Sequence, residues 1–438
     1  MSKKDKKQKI YKPKPVSGFP EWLPEFRAIE QLWMDKIRKV YESYGYCSIE
    51  TPSVEELNVI AAKGEDVDKE IYVLERLQAD PDDKKDARLA LHFDQTVPFA
   101  RYVAQHFNDL TFPFKRYQMQ RVWRGERPQV GRQREFYQCD IDVINVDNLP
   151  ISFDAEVASI CYEALDALDI GRVQLRISNR KILLGFLSAL DIEDVVSVTR
   201  AIDKLEKIGE DEVRRLLTEE QNISDQNCDK ILKLVTTKDI KSIEPLSDEM
   251  KEGLEELIFV VENLSHLPDH AVIADLSIVR GLDYYTGTVY ETQLLDVPEF
   301  TGSVCSGGRY DDLAGNYINK HLPGVGISIG FTRLFDVLKD HGHIKAGKKS
   351  PADILMVLPS EDKRALATDT ARTLRQRGYN VEMYHAPQKI GKQFSYAEKK
   401  DIRHVWIPPF EDGQAHEVKD LTQKTQNEAT PQDWVMDK

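Results

Sequence analysis

The chain has 438 residues, enough for two or three domains that each bury a core. With 41% apolar and 31% charged residues it has a globular composition, and no apolar run approaches the roughly 20 residues that span a bilayer. A formal charge of −14 gives no overall attraction for nucleic acid, so any such binding needs a local basic path.

Residues 1–15 read as a basic disordered tail, with seven Lys against Asp5, which leaves −20 for the rest. This start lacks the apolar core of a secretory signal and the Arg and amphipathic spacing of a transit peptide, so a cytoplasmic location is expected. Cys47, Cys139, Cys161, Cys228 and Cys305 are far apart without a C-x-x-C pair. That pattern predicts reduced thiols, no zinc site and no disulfide framework.

From Pro24 to Tyr44 apolar residues recur at helical spacing (Phe26, Ile29, Leu32 or Trp33, Ile37, Val40, Tyr44), predicting an amphipathic helix ended by Gly45. Tyr46 to Thr51 then reads as a strand stopped by Pro52. Leu91 to Tyr102 reads as a strand running into a helix, with Pro98 in the first turn. Asp94 and Thr96 share a strand face there and expose a carboxylate and a hydroxyl, although either serves equally as a helix cap.

Phe114 to Ile144 carries the densest chemistry. It reads as two long strands joined by a basic loop containing Gly and Pro. On the return strand Tyr137, Cys139, Ile141 and Val143 fall on a core side, and Phe136, Gln138, Asp140 and Asp142 on the other. An aromatic, an amide and two carboxylates cover a core poorly and floor a pocket well. On the outgoing strand Gln120, Val122 and Arg124 share a face, and Glu126, Arg127, Arg132 and Arg134 follow in the loop. A hairpin brings these guanidiniums to the mouth of the acidic floor. Their planar forks suit phosphate, and the floor suits a cationic or amine-bearing group.

Asp154 to Leu168 is a predicted helix and Val173 to Ile177 a predicted strand. From about 179 to 270 Lys and Glu rise and aromatics almost vanish. Apolar residues recur there at helical spacing (Ile202, Leu205, Ile208; Ile231, Leu232, Val235), predicting an inserted helical subdomain. Val272 to Glu291 reads as two strands around Arg280-Gly281-Leu282-Asp283-Tyr284-Tyr285. That segment suits an imidazole-and-phosphate site, and equally a hairpin turn in which the tyrosines pack.

In Ser306 to Asp311, paired glycines permit close backbone approach. Gly324, Gly326, Ser328 and Gly330 recur at period two, so one strand face is nearly bare, a flat surface for a purine or another backbone. Arg333 heads the following helix, where backbone dipole and guanidinium both favour phosphate. Two weaker patterns fail: GVGISIG has the wrong spacing for a dinucleotide fingerprint, and Gly342 to Lys349 has Lys349 where a P-loop needs Ser or Thr. From Pro351 strands and helices alternate (Ile354 to Leu358, Glu361 to Arg377, Tyr379 to Met383, Lys392 to Lys400, Arg403 to Ile407), a small α/β domain of parallel character. Its Arg375, Lys389, Lys392, Lys399 and Lys400 are candidates for RNA contact.

Three of these stretches, in this order, resemble the motifs of class II aminoacyl-tRNA synthetases. The helix–Gly–strand–Pro pattern resembles motif 1, the dimer-forming element. Phe114 to Ile144 resembles the motif 2 hairpin, and Gly324 to Arg333 motif 3. FYQCDIDVI and RGLDYYTG are similar specifically to the histidyl-tRNA synthetases, and the resemblance covers nearly the whole chain. It implies an α+β fold with an antiparallel catalytic sheet flanked by helices over residues 16–345. The helical insertion would lean on the tRNA acceptor arm, and residues 351–438 would form an α/β anticodon-binding domain.

The same resemblance assigns roles. Arg124 would grip the ATP α-phosphate, Phe136 would stack on adenine, and Glu126 would lie near the nucleotide. Asp94, Gln95 and Thr96 would hold the α-amino group of histidine, and Gln138 and Asp142 would bind the same substrate. Tyr284 and Tyr285 would line its pocket. Arg280 would contact both the histidine carboxylate and the α-phosphate, and Arg333 would complete a trio of catalytic cations with Arg124 and Arg280. The implied reaction joins L-histidine to tRNA(His) through histidyl-adenylate, with ATP, Mg²⁺, a homodimer, no membrane partner and no protein-borne metal site. Gln133 departs from the Tyr common among relatives, Ser306 from Ala, and the Pro15 to Pro24 start from the usual Pro-Lys-Gly-Thr. Two rival readings are a histidine-sensing regulatory subunit on the same core and a ligase for another amino acid. The RGLDYYTG segment argues against both.

Overall fold

The Phe26-to-Tyr44 periodicity folds as α1 (Pro24–Ser43), which buries Trp33, Ile37 and Tyr41 at four-residue spacing and leaves Leu32 on the exposed face. The computed structural model describes residues 10–60, 70–78, 89–279, 285–409, 411 and 413–436. Arg280 and Tyr284, and the tail up to residue 9, lie outside these. The chain divides into two compact units, Met1–Glu21 with Trp33–Ile344, and Trp22–Leu32 with Lys345–Lys438. The first part of α1 therefore groups with the C-terminal unit.

After α1, the first unit runs through β1 (Cys47–Ser48), β2 (Val54–Glu56), β3 (Leu89–Leu91), α2 (Thr96–Gln105), β4 (Phe114–Trp123), β5 (Glu135–Ile144), α3 (Ser152–Asp166) and β6 (Val173–Asn179). The insertion follows as α4 (Arg180–Ala189), α5 (Val195–Ile202), α6 (Leu205–Arg215), α7 (Asp225–Thr236) and α8 (Asp248–Asn263). Four of these five helices start where polar residues cap them: the side chains of Asn179, Asp194, Ser224 and Ser247 accept from the backbone N–H of Lys181, Ser197, Asn227 and Met250. Then come β7 (Val272–Ala274), β8 (Thr288–Leu294), β9 (Cys305–Tyr310), β10 (Gly324–Ile329) and α9 (Phe331–Asp340).

Among the described residues these strands form one sheet in the order β1-β4-β5-β10-β9-β8-β6-β7, with β2 and β3 pairing separately. Its interior pairs are antiparallel, and each edge strand, β1 and β7, joins in parallel. Three expectations change. The Tyr46-to-Thr51 strand is reduced to Cys47–Ser48. Asp94 and Thr96 share no strand face, because β3 ends at Leu91 and Thr96 opens α2. The strands flanking Arg280 make no hairpin, because β6 lies between β7 and β8. Behind the sheet, α3 is tied to β9 by a buried ion pair, Arg309 Nη2 to Asp154 Oδ2 at 2.6 Å.

The C-terminal unit holds β11 (Ile354–Met356), α10 (Arg364–Gln376), β12 (Val381–Met383), α11 (Ile390–Lys399) and β13 (His404–Ile407), followed by β14 (Glu417–Asp420) and β15 (Thr425–Glu428). Strand order is β12-β11-β13-β14-β15; the first three are parallel, as the alternation predicts, and the last two add antiparallel. Leu355, Val357, Leu374, Trp406 and Ala397 form its core. Two of the candidate RNA-binding cations are engaged internally. Arg375 Nε donates to Val381 O at 3.1 Å, and Lys400 Nζ lies 2.7 Å from Glu382 Oε1. Lys389, Lys392 and Lys399 remain exposed.

Candidate active site

The site begins with the register of β4 on β5. Trp123 pairs with Glu135 next to the loop, and counting down the ladder sets Val122 opposite Phe136, Gln120 opposite Gln138, Gln118 opposite Asp140 and Arg116 opposite Asp142. The predicted face therefore exists: Phe136 and Gln138 are half-buried, and Asp140 and Asp142 are 3% and 4% exposed. It is not purely acidic. Arg116, fully buried, lies over the Phe99 ring and brings Nη2 to 2.6 Å from Asp142 Oδ2, an ionic contact without hydrogen-bond alignment. Tyr310 donates its hydroxyl to Asp142 Oδ1 at 3.1 Å. Both oxygens of Asp142 thus have protein partners, one of them a cation that the sequence reading missed. Arg116 shares the parity of Gln120 and Arg124, and a register count from the loop would have found it.

The bare face of β10 is filled from its neighbours. A Cβ on Gly326 would meet Asp142 Oδ1 at 2.1 Å, and one on Gly324 would meet the Tyr310 ring at 2.3 Å. Gly324 and Gly326 therefore make room for the floor rather than for a purine. Only the Ser328–Gly330 end of the strand opens onto the cleft. The ring of Tyr285 lies against Gly308 in the same way, where a Cβ would come within 2.8 Å.

Above the floor is an open cleft of about 620 Å³, lined by Arg124, Glu126, Arg132, Phe136, Gln138 and Arg333, with Ser306, Ser328 and Gly330. Residues predicted from three separate stretches meet here. Arg124 holds its guanidinium 5.2 Å from the Phe136 ring centroid and donates from Nε to Phe93 O. Glu126 lies between Arg124 at 4.0 Å and Arg132 at 3.6 Å. Arg333 is also a strap: Nε donates to Gly131 O at 2.8 Å, and Nη1 to Ser303 O at 2.9 Å. Arg127 is exposed and does not line the cleft, and Arg134 turns back to donate to Glu126 O.

The Asp94–Thr96 segment stands beside the floor rather than in the cleft. Asp94 Oδ1 accepts from Val97 N at 3.0 Å, the helix cap the sequence allowed, while Oδ2 is buried without a partner among the described residues. Gln95 spends its amide donors on Gln120 O and Gln138 O, stapling the start of α2 across both strands of the hairpin. Gln138 donates to Ser328 Oγ at 2.8 Å, and its Oε1 is buried and unpartnered among the described residues, as is Asp140 Oδ1. Burial pushes the Asp140 carboxyl up to about 7 and that of Asp142 up to about 6, with Arg116 opposing both.

The chain has counterparts of known family. A family model described as histidyl-tRNA synthetase matches residues 18–334. The chain is 55% identical over 435 residues to the histidine–tRNA ligase of Thermobifida fusca, covering 98% of this chain and 99% of that protein. The histidine–tRNA ligase of Micrococcus luteus is 45% identical over 440 residues, covering 96% and 95%. The crystal structure of histidyl-tRNA synthetase from Nostoc sp. PCC 7120 superposes with a TM-score of 0.86 at 40% identity, covering 96% of this chain and 97% of that one. The chain belongs to the histidyl-tRNA synthetase family. Against the family pattern, the departure at Gln133 has a local account. Its amide donates to Asp336 Oδ2 at 2.9 Å, and the Gly131 N–H donates to the same oxygen at 2.9 Å, so the loop is pinned to α9. The atypical start segment contributes Gly18, whose carbonyl accepts from the N–H groups of Arg134 and Glu135.

Proposed function

We propose that this chain is a histidine–tRNA ligase that activates L-histidine with ATP and transfers it to tRNA(His). The observation that carries the reading is the join of two chemistries: an arginine-lined cleft opens over a floor whose buried acceptors Asp94 Oδ2, Gln138 Oε1 and Asp140 Oδ1 have no donor among the described residues. Buried acceptors are rarely left so, and an amine-bearing substrate supplies the N–H groups they need. Arg124 and Arg333 are assigned to the phosphates and Phe136 to the adenine. Asp94, Gln138 and Asp142 are assigned to histidine, with Gln95 and Thr96 as the frame that sets Asp94. Arg280, Tyr284 and Tyr285 keep the roles their RGLDYYTG segment implies.

In the first step the histidine carboxylate attacks the α-phosphorus of ATP, releasing pyrophosphate and forming histidyl-adenylate. In the second the terminal ribose hydroxyl of the tRNA attacks that adenylate and releases AMP. Neither step needs a protein nucleophile. Rate comes from alignment and from guanidiniums preorganised where charge develops. When bound, Mg²⁺ would neutralise charge on the ATP phosphates, and Glu126 is the carboxylate lining the cleft that would meet it. A homodimer built on the motif 1 element, an anticodon-binding role for the C-terminal unit and a cytoplasmic location complete the reading.

Histidine-dependent ATP–pyrophosphate exchange, run against a panel of amino acids, tests it. Exchange with histidine and no other amino acid is the expected result. Exchange with a different amino acid, or none from folded protein, overturns the assignment.

A further inference from the structure

The family resemblance assigns Asp140 no role of its own, yet it is a buried carboxylate of the floor with an oxygen left unpartnered among the described residues. On β5 it sits between Gln138 and Asp142, opposite Gln118 of β4 and Ser328 of β10. Ser328 links it to Gln138, donating to the Asp140 carboxyl and accepting from the Gln138 amide. Its Oδ1 is buried without a donor among the described residues. We propose that Asp140 is a further binding residue for the ammonium group of the amino acid, and that it enters this complex by giving up a proton.

The argument is a charge count in a buried space. Three carboxylates, Asp94, Asp140 and Asp142, act on one another there, and among the described residues one guanidinium, Arg116, opposes Asp140 and Asp142. Were all three ionised, two negative charges would be left uncompensated away from water, which costs far more than binding one proton. Asp142 has Arg116 at 2.6 Å and the Tyr310 hydroxyl, and Asp94 is held by the α2 backbone. Among the described residues Asp140 has the Ser328 hydroxyl and the shared pull of Arg116 but no close cation of its own, so the proton resides there. Among the described residues its charge is also felt by the buried Tyr41 phenol and Cys305 thiol, both pushed up in part by it. The direction found for the Asp140 carboxyl, up to about 7, agrees with the count.

An ammonium group placed against Asp94 Oδ2, Gln138 Oε1 and Asp140 Oδ1 brings one positive charge and three donors. The O–H bond of Asp140 then breaks, its proton passes to the buffer, and the carboxylate pairs with the ammonium. Affinity for the amino acid therefore rises with pH through neutrality. This rests on the reading of the floor as the amino-acid pocket.

Isothermal titration of histidine into the full-length enzyme at pH 7, in buffers of different ionisation heat, counts the protons exchanged. With a carboxyl at about 7, wild-type protein is expected to release about half a proton more than Asp140→Asn, whose side chain mimics the protonated form. Titration of the free histidine imidazole is common to both proteins and cancels. Equal proton counts overturn the proposal while leaving the pocket intact. No binding by folded wild-type enzyme overturns the pocket, and the proposal with it. Should Asp140→Asn not fold, infrared difference spectra of wild-type enzyme decide: a protonated-carboxyl stretch lost on adding histidine supports the proposal, and its absence sinks it.

Discussion

Asp140 and Asp142 stand two residues apart on one strand face, and their surroundings separate them. Only Asp142 has a guanidinium at 2.6 Å. The Asp140 carboxyl, raised from 3.8 to about 7, binds its proton more tightly in the folded chain than in the unfolded one. Its contribution to stability is therefore full below about pH 4 and is lost as pH rises through about 7. In unliganded protein, Asp140→Asn should be more stable than wild type at pH 8 by on the order of a few kcal/mol and melt correspondingly higher, and the gain should vanish near pH 4. Melting curves across that range check it, and a gain independent of pH would contradict the burial argument. At this scale the face itself was legible, because alternation along a strand admits one answer. The occupancy of Asp142 was not, since it depends on a register that joins residues 116 and 142 and on Tyr310, far along the chain.

At the scale of elements, β10 shows how a strand can serve a site it barely touches. A methyl group on Gly326 would collide with Asp142 Oδ1 at 2.1 Å and with the Ile141 backbone carbonyl at 2.6 Å, and the backbone cannot move aside cheaply. Gly326→Ala should therefore displace Asp142 and raise the histidine KM roughly 10- to 100-fold, the loss of one charge-assisted contact, with little change for ATP. Steady-state kinetics with each substrate varied gives the answer; equal losses for both would mean general damage to the sheet. The period-two glycines were visible in the sequence, but their purpose was misread, because a bare face looks the same whether a ligand or a neighbouring side chain fills it. β14 and β15 escaped notice for another reason. Thr425–Glu428 is polar and wholly exposed, so no alternation marks it, and it is a strand only because β14 offers it an edge.

The molecule as a whole divides less simply than its sequence. Trp22–Leu32 belongs with Lys345–Lys438, and within that unit the Gly347 N–H donates to Glu25 O. Removing residues 345–438 therefore also strips the first half of α1 of packing. The truncated protein is expected to melt lower, to retain histidine-dependent pyrophosphate exchange and to lose most tRNA charging. Charging at the normal rate by a folded truncation would refute an anticodon role for the C-terminal unit. The strand–helix alternation after Pro351 made that unit legible, whereas the early segment that packs with it carries no local mark of its destination.

The β5–β10 pairing also has a consequence for how the protein is made. Ile144 pairs with Gly324, about 180 residues later, with the whole insertion between them. At about 5–20 residues per second, β5 waits on the ribosome for about 10–40 s with one edge open. An open edge invites strands from other chains, and charged side chains are a common deterrent. Until its partner emerges, β5 carries Asp140 and Asp142 exposed to water and ionised. The carboxylates that later floor a binding site first keep a half-built chain to itself.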